Sequence, residues 1–237
     1  MEDEFDPRMD LVDHMAELRR RIIISIVAWA VGTFAGWFLT PSIITYIKSF
    51  PQLKDIELIL IRPPEAFFAR LKLAVVVGLL FAIPIVIYQV VLFIIPAYQQ
   101  HKKWVMRFVP ASIILFYLGV LFFMWVLVPI TLEFFLIRMA EGIAKPQLSL
   151  GEYVNYLVSM TLLGGLVFQV PILLFFLTMA GVLTSRQLMS GWKYAVVITF
   201  IVAAFATPPD PFSQVVVAVP MLVLYGLCVW FSRLAGK

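Results

Sequence analysis

The run 22-IIISIVAWAVGTFAGWFLT-40 decides the fold class of this chain. It carries no charged residue, and the three arginines Arg19–Arg21 stand directly before it. A helix that crosses a bilayer needs roughly 20 apolar residues. The run therefore predicts a transmembrane helix, which we expect to end at Pro41.

The composition of the whole chain points the same way. The 237 residues are 62% hydrophobic and 14% charged, whereas a soluble domain is about half apolar and a quarter charged. The chain therefore reads as a polytopic membrane protein, and the several apolar runs exclude a signal peptide followed by a soluble domain.

Five further apolar runs follow the first. They are separated by polar or proline-containing segments, and they lie at 73–95, 108–129, 153–181, 194–206 and 212–231. We predict an all-α fold with six transmembrane helices that form a single integral membrane domain over residues 1–237. The fifth run is short, which indicates local thinning of the bilayer or packing against a partner.

The segments between the spans also carry structural signals. The stretch 207-TPPDP-211 has three prolines and predicts a tight turn between the last two helices. Two longer segments, 41–70 and 130–152, contain the apolar stretches 42–50 and 132–140, whose spacing suits short surface helices. We expect these two segments to form a cap on the outer side.

Five prolines fall within or at the ends of the predicted spans. Each removes one helix hydrogen bond and tends to bend its helix. Bent helices packed together predict a concave wall rather than a straight bundle; the prolines are Pro84, Pro110, Pro129, Pro171 and Pro220.

The distribution of positive charge predicts the orientation. With six spans both termini lie on one side, and that side holds eleven of the 18 Lys and Arg residues. Cytoplasmic segments carry an excess of Lys and Arg. We therefore expect both termini in the cytoplasm.

Residues for enzyme chemistry are scarce. The sequence has no Walker loop, HExxH, GxSxG or CxxC motif, and no pair of acids within a span. It has two histidines and one cysteine, Cys228, so a disulfide within the chain and a Cys/His metal cluster are excluded. The sequence predicts neither an enzyme nor a bound cofactor or metal.

Glu17 is the acidic residue nearest to the first span. Together with Asp10 and Asp13 it lies on one face of a predicted helix. One interpretation is structural, because acids near a helix N-terminus favour its positive end. The other is that an acidic face beside the membrane binds a basic ligand.

Polar residues also occur deep in the later spans. Gln169 either satisfies a carbonyl freed by Pro171 or lines a polar cavity that faces a partner. Thr207 and Gln214 either cap the turn and the last helix, with help from Ser213 and Asp210, or form a patch where a partner helix docks. Pro208, Pro209 and Asp210 are assigned to the turn itself.

Four motifs together resemble the TatC family, the six-helix core subunit of the twin-arginine protein translocase. They occur in the family's order, and the likeness covers nearly the whole chain; they are 14-HMAELRRR-21, 93-FIIPAYQQHKK-103, 168-FQVPI-172 and 207-TPPDPFSQ-214. The last is long and specific.

The resemblance implies a receptor for the signal peptides of folded cargo proteins, which carry two adjacent arginines. Glu17 stands at the position of the family's recognition glutamate, and Leu18 and Arg19 complete that part of the site. The apolar part of the signal peptide is expected to lie in the concave wall, with Phe93 near the mouth of that wall. Asp13 is expected to contribute to signal-peptide binding. A carboxylate can bind a guanidinium group through two hydrogen bonds, and lysine is not an equivalent ligand.

The sequence departs from the family pattern at two positions. Lys102 stands where the first loop usually carries a second glutamate, so that role is not transferred to it. Gln169 replaces an acid in the fourth helix, which preserves hydrogen bonding but not charge.

The resemblance also implies the partners and the setting. These are single-span proteins of the TatA and TatB type, further copies of the chain and the lipid bilayer, with no nucleic acid. The fifth helix with Thr207 and Gln214 matches the family's docking zone. Transport is expected to use the proton-motive force at the cytoplasmic membrane of a prokaryote.

Two other classes of protein compete with this interpretation. A small secondary transporter or channel needs a midplane binding site and commonly an internal repeat, and no clear repeat is visible. An intramembrane enzyme needs a nucleophile and a base, or two acids, in its spans. Selective binding of a twin-arginine peptide would favour the translocase, and stabilisation by a solute would favour a transporter.

Overall fold

The structure is a computed structural model that describes residues 7–54, 56–94, 102–140, 147–179, 181, 183–206 and 210–234. Nearly all of these residues are helical. The long helices are α1 (Pro7–Lys48), α2 (Glu65–Ile94), α3 (Lys102–Phe122), α5 (Leu150–Val167), α8 (Trp192–Ala206) and α9 (Pro211–Leu234). The shorter ones are α4 (Val128–Leu132), α6 (Val170–Met179) and α7 (Ser185–Ser190), with a 3₁₀ turn at Pro51–Leu53.

Five helical segments of the described chain are long and apolar enough to cross a membrane. They are His14–Lys48, Glu65–Phe93, Val109–Arg138, Leu150–Thr178 and Pro211–Trp230. A sixth apolar helix, Trp192–Phe205, is shorter. The predicted all-α polytopic membrane fold is therefore confirmed, and the short helix is the fifth in order, as the sequence predicted.

Pro41 does not end the first helix. The helix α1 continues through this proline to Lys48, so the prediction of a separate surface helix at 42–50 is wrong. A proline removes only its own N–H bond, whereas ending the helix leaves several backbone groups unsatisfied, which is costly in apolar surroundings.

Pro129 does not end the third span either. After α3 the helical run continues through a π-helical stretch, Phe123–Leu127, then α4, then a second π-helical stretch, Glu133–Arg138. The predicted separate helix at 132–140 is the end of this run, so that prediction is wrong. Wider π-helical turns interrupt the regular hydrogen-bond ladder, and they accommodate a proline without ending the helix.

The fourth span is interrupted at Phe168 and Gln169, between α5 and α6. The Gln169 N–H donates to the Leu166 carbonyl at 3.0 Å, and the Gln169 carbonyl accepts from the Leu173 N–H at 3.0 Å. Pro171 lies in the first turn of α6, where its missing N–H has no partner within the helix in any case. The chain bends before this proline rather than at it.

The chain divides into two compact units. The first unit contains α1 up to Leu39 and the stretch Ala74–Ile113. Within it α1 and α2 approach closely. A Cβ added to Gly32 would lie only 2.6 Å from the Gly78 carbonyl oxygen. Small residues permit this kind of close helix contact in membrane proteins. The Trp29 Nε1–H also donates to the Val75 carbonyl at 2.9 Å.

The second unit contains Thr40–Leu73 and the chain from Ile114 onward. Its core is built around α5, on which Tyr153, Val154, Leu157 and Met160 are at most 2% exposed. The Tyr153 hydroxyl donates to the Ile47 carbonyl at 3.1 Å. The buried face of α5 therefore binds the end of α1 as well as the third span.

The two segments predicted to form a cap contact each other within the second unit. The strand β1 (Leu58–Ile59) pairs in parallel with β2 (Leu148–Ser149). Glu65 accepts four hydrogen bonds beside this pair, from the Ile61 N–H at 2.7 Å, the Arg62 N–H at 3.2 Å, the Gly151 N–H at 2.6 Å and the Ser149 hydroxyl. One carboxylate therefore links both segments.

We expect Glu65→Gln to loosen this link. An amide has one acceptor oxygen, and its NH₂ group would face backbone N–H donors on the other side. Amide hydrogen exchange should become faster at Ile61, Arg62 and Gly151, and the thermal unfolding temperature should fall. Glu152→Gln, a nearby glutamate, is the control and should change neither quantity. Unchanged exchange in Glu65→Gln would contradict the assignment of this link.

Candidate functional site

A cavity of about 560 Å³ lies between α1 and α2 in the first unit. Its walls combine charged and apolar side chains; they are Ala16, Glu17, Arg20, Arg21, Ile24, Gln89 and Leu92. Such a combination suits a ligand that is partly polar or charged and partly apolar.

Glu17 and Arg21 form an ion pair along the wall of this cavity. The Arg21 Nε–H donates to Glu17 Oε1 at 3.1 Å, and Nη2 contacts the same oxygen. The two residues stand four positions apart on α1, the spacing that places side chains next to each other on a helix. The side chain of Glu17 is 33% exposed and that of Arg21 is 18% exposed, so the carboxylate remains accessible from the cavity.

Gln89 fixes the other end of Arg21. The Arg21 Nη1–H donates to Gln89 Oε1 at 3.1 Å, which links α1 to α2 across 68 positions of sequence. An amide within an apolar helix is costly unless it is paired. This hydrogen bond satisfies the side-chain oxygen of Gln89 and gives Arg21 a defined direction.

Phe93 lies beside the start of the same wall. Its ring stacks on the His14 ring, with centroids 4.4 Å apart and planes inclined by 20°. Since His14 precedes Glu17 by one helical turn, Phe93 is close to the end of the cavity that contains the carboxylate. Phe93 is not among the residues that line the cavity, and its position near the mouth stays a prediction.

The other residues predicted for this site are placed differently. Among the described residues that line the cavity, Leu18 and Arg19 do not occur. Leu18 is half-buried and Arg19 is exposed on α1. Asp13 belongs to α1, but its side chain lies outside the described part of the structure, and the same holds for Lys102 at the start of α3.

Of the seven residues that line the cavity, the sequence singles out only Glu17, and the hydrogen-bonding partners Arg21 and Gln89 are among those it does not. The spacing of Glu17 and Arg21 was a usable signal for an ion pair. Gln89 was visible as an amide inside the second apolar run, but its partner depends on how two helices pack.

A second group of predicted residues lies at the hairpin of α8 and α9. Asp210 Oδ1 accepts from the Ser213 N–H at 2.6 Å, so Asp210 caps α9. Gln214 Nε2 donates to the Phe200 carbonyl at 2.9 Å and connects the two helices. The described residues do not include Thr207, Pro208 and Pro209 of the turn. The remaining predicted residue, Gln169, lies elsewhere, at the break between α5 and α6.

No group of three or more His, Cys, Asp or Glu side chains that could hold a metal ion occurs within the described ranges. What the first unit does show is the set of ionic and hydrogen-bonding contacts among Glu17, Arg21 and Gln89.

Comparisons with known proteins extend over almost the whole chain. Residues 13–220 match the TatC family, described as Sec-independent protein translocase protein. A TatC from Aquifex aeolicus (strain VF5) is 36% identical over 97% of this chain and 97% of its own length. A TatCy from Bacillus subtilis (strain 168) is 32% identical over 97% of this chain and 91% of its own length.

A plant relative and a solved structure give the same result. The chloroplastic TATC of Arabidopsis thaliana is 32% identical over 98% of this chain and 68% of its own length. A crystal structure described as the twin arginine translocase receptor TatC matches with a TM-score of 0.84 and 35% identity, and covers 94% of this chain and 100% of that one.

Proposed function

Because the chain belongs to the TatC family of Sec-independent protein translocase proteins, we propose that it is the receptor for twin-arginine signal peptides of folded cargo. The chain is a multi-pass membrane protein and a translocase subunit rather than an enzyme. The observation that supports the receptor role is the accessible Glu17 carboxylate in the wall of the 560 Å³ cavity.

The chemistry of Glu17 suits an arginine ligand. A guanidinium group is planar and offers several N–H donors in a fixed fork, whereas an ammonium group is a compact charge without that geometry. A partly buried carboxylate, held in one orientation by Arg21, distinguishes the two by direction as well as by charge.

The remaining predicted site residues surround this contact. We assign Leu18, Arg19 and Asp13 to the N-terminal part of the signal peptide and Phe93 to the start of its apolar part. Ile24 and Leu92 on the cavity wall give the apolar part of the signal a surface to contact.

At two positions this chain lacks an acidic residue that the family pattern contains. A lysine at position 102 would repel a pair of arginines, so either recognition rests more heavily on Glu17 or other acids, Asp10 or Asp13, contribute. Gln169 retains a hydrogen-bonding role at the break between α5 and α6 but cannot supply a carboxylate.

TatA- and TatB-type single-span proteins are proposed to dock on the hairpin of α8 and α9, near Thr207 and Gln214. The helix α8 has only 15 residues and presents large apolar side chains outward, including Phe205, which is 89% exposed. A short apolar helix is favoured to associate with another helix where the bilayer does not match its length.

The proposal includes a location and an energy source. We place the chain as a single integral membrane domain in the cytoplasmic membrane of a prokaryote, with both termini in the cytoplasm. Arg19–Arg21 next to the first span support this orientation. Self-association and transport driven by the proton-motive force complete the proposal.

Binding of a twin-arginine signal peptide to the detergent-solubilised chain tests the receptor role. A matched peptide with two lysines in place of the arginines is the control. We expect the arginine peptide to bind about tenfold more tightly, the equivalent of one charge-assisted hydrogen bond. Equal affinity for the two peptides would refute the proposal.

A further inference from the structure

The contact between Arg21 and Glu17 uses only one side of the carboxylate. Both Nε and Nη2 of Arg21 point to Oε1. Each carboxylate oxygen accepts about two hydrogen bonds, so Oε1 is fully used. In the part of the chain that the structure describes, Oε2 accepts no hydrogen bond.

The guanidinium of Arg21 is itself held from two directions. Its third nitrogen, Nη1, donates to Gln89 Oε1 on α2 at 3.1 Å. The side chain of Arg21 is only 18% exposed. A planar fork fixed at both ends has little freedom to turn. The direction of the Glu17 carboxylate is therefore determined by a residue on another helix.

We propose that Arg21 is a positioning residue for peptide recognition, which holds Glu17 by Oε1 and leaves Oε2 directed to the guanidinium of the signal peptide. The inference rests on the proposed receptor function of Glu17. Gln89 holds Arg21 in place through its hydrogen bond and therefore acts with Arg21 in positioning Glu17. A carboxylate fixed in advance loses less side-chain entropy when the ligand binds, and it selects the directional donors of arginine over the ammonium of lysine.

The positive charge of Arg21 and its positioning of Glu17 predict different effects when Arg21 is removed. Its positive charge repels a cationic peptide, so charge alone predicts that Arg21→Ala strengthens binding of both peptides. Positioning predicts that the ratio of affinities for the arginine and lysine peptides falls. This ratio is therefore the quantity to measure, because a general change in charge affects both peptides similarly.

The experiment measures this ratio in the full-length, detergent-solubilised chain. Arg21→Ala should reduce the preference for arginine from about tenfold to about twofold, because the ligand contact loses its direction. Arg186→Ala removes the same charge at an exposed position of α7 that does not line this cavity, and should leave the ratio unchanged. Arg21→Lys retains the charge but not the fork, so its ratio should lie between those of native Arg21 and Arg21→Ala.

Gln89→Leu provides the test if Arg21→Ala fails to fold, as judged by its unfolding temperature. It preserves both charges and removes only the anchor, and we expect the ratio to fall here too. An unchanged ratio in both variants, or a ratio that rises in Arg21→Ala, overturns the inference. If the native chain already lacks a preference for arginine, or Glu17→Gln does not alter it, the receptor proposal fails and this inference fails with it.

Discussion

Glu17→Gln is expected to remove most of the selective affinity for a twin-arginine peptide. The substitution preserves the size of the side chain and removes the charge that pairs with a guanidinium. Hydrogen bonds to charged groups contribute about 1.5–3 kcal/mol, so the dissociation constant should rise about tenfold to a hundredfold. Titration of the purified variant with the arginine and lysine peptides provides the measurement.

The stability of Glu17→Gln should stay close to that of the native chain. An ion pair with four-residue spacing on one helix contributes only about 0.3–0.5 kcal/mol. Glu133→Gln is the matched control, because Glu133 is also paired with an arginine, Arg138, at 3.0 Å. We expect that control to bind the arginine peptide normally. Full affinity in Glu17→Gln would show that the carboxylate is not the recognition group.

Gly119→Val is expected to destabilise the second unit strongly. A Cβ at this position would lie inside van der Waals distance of the Gly164 carbonyl oxygen and 2.7 Å from Phe168 Cγ. The reciprocal Cβ on Gly164 would lie 2.6 Å from the Gly119 carbonyl oxygen. Backbone atoms of two packed helices cannot move apart locally, so overpacking should cost about 3 kcal/mol and lower the unfolding temperature by about 10 °C.

Gly226→Val is the matched control for this prediction. A Cβ on Gly226 has no heavy atom within 4 Å among its described surroundings, so the same substitution should be nearly neutral there. Thermal unfolding of both variants in detergent gives the comparison. Similar unfolding temperatures for the two variants would contradict the close contact between α3 and α5.

The sequence predicted the number and order of the apolar helices, but not where they end. Runs such as 22–40 indicate spans because the cost of burying polar groups in a bilayer is large and local. The residue pattern predicts helix ends at Pro41 and Pro129, and the structure continues the helices through both. In apolar surroundings a helix that loses one hydrogen bond is preferred over a helix that ends, and this preference is not visible in the pattern of residues.

The candidate site was only partly predictable. Glu17 stands out in the sequence through its motif. Asp210 caps α9, a role that the sequence interpretation gave to Thr207 and Gln214 with only help from Asp210. The role of Gln89 could not be read from the sequence, because it depends on the packing of α2 against α1. Gln214 also required the structure, since its partner is the Phe200 carbonyl rather than the turn that precedes it.

The family assignment decides between the classes of function that the sequence left open. The match over residues 13–220 favours a translocase subunit over a solute transporter or an intramembrane protease. The family assignment does not locate the binding site within this chain. The candidate site rests on the geometry around Glu17.

Photo-crosslinking can locate the bound signal peptide on the chain. A twin-arginine peptide with a photoreactive residue next to its arginine pair is bound to the native chain and irradiated, and the linked residues are identified by mass spectrometry. The account predicts links to residues 16–24 and 89–92, which unlabelled arginine peptide suppresses and lysine peptide does not. Links confined to the second unit, or links that both peptides suppress equally, would contradict it.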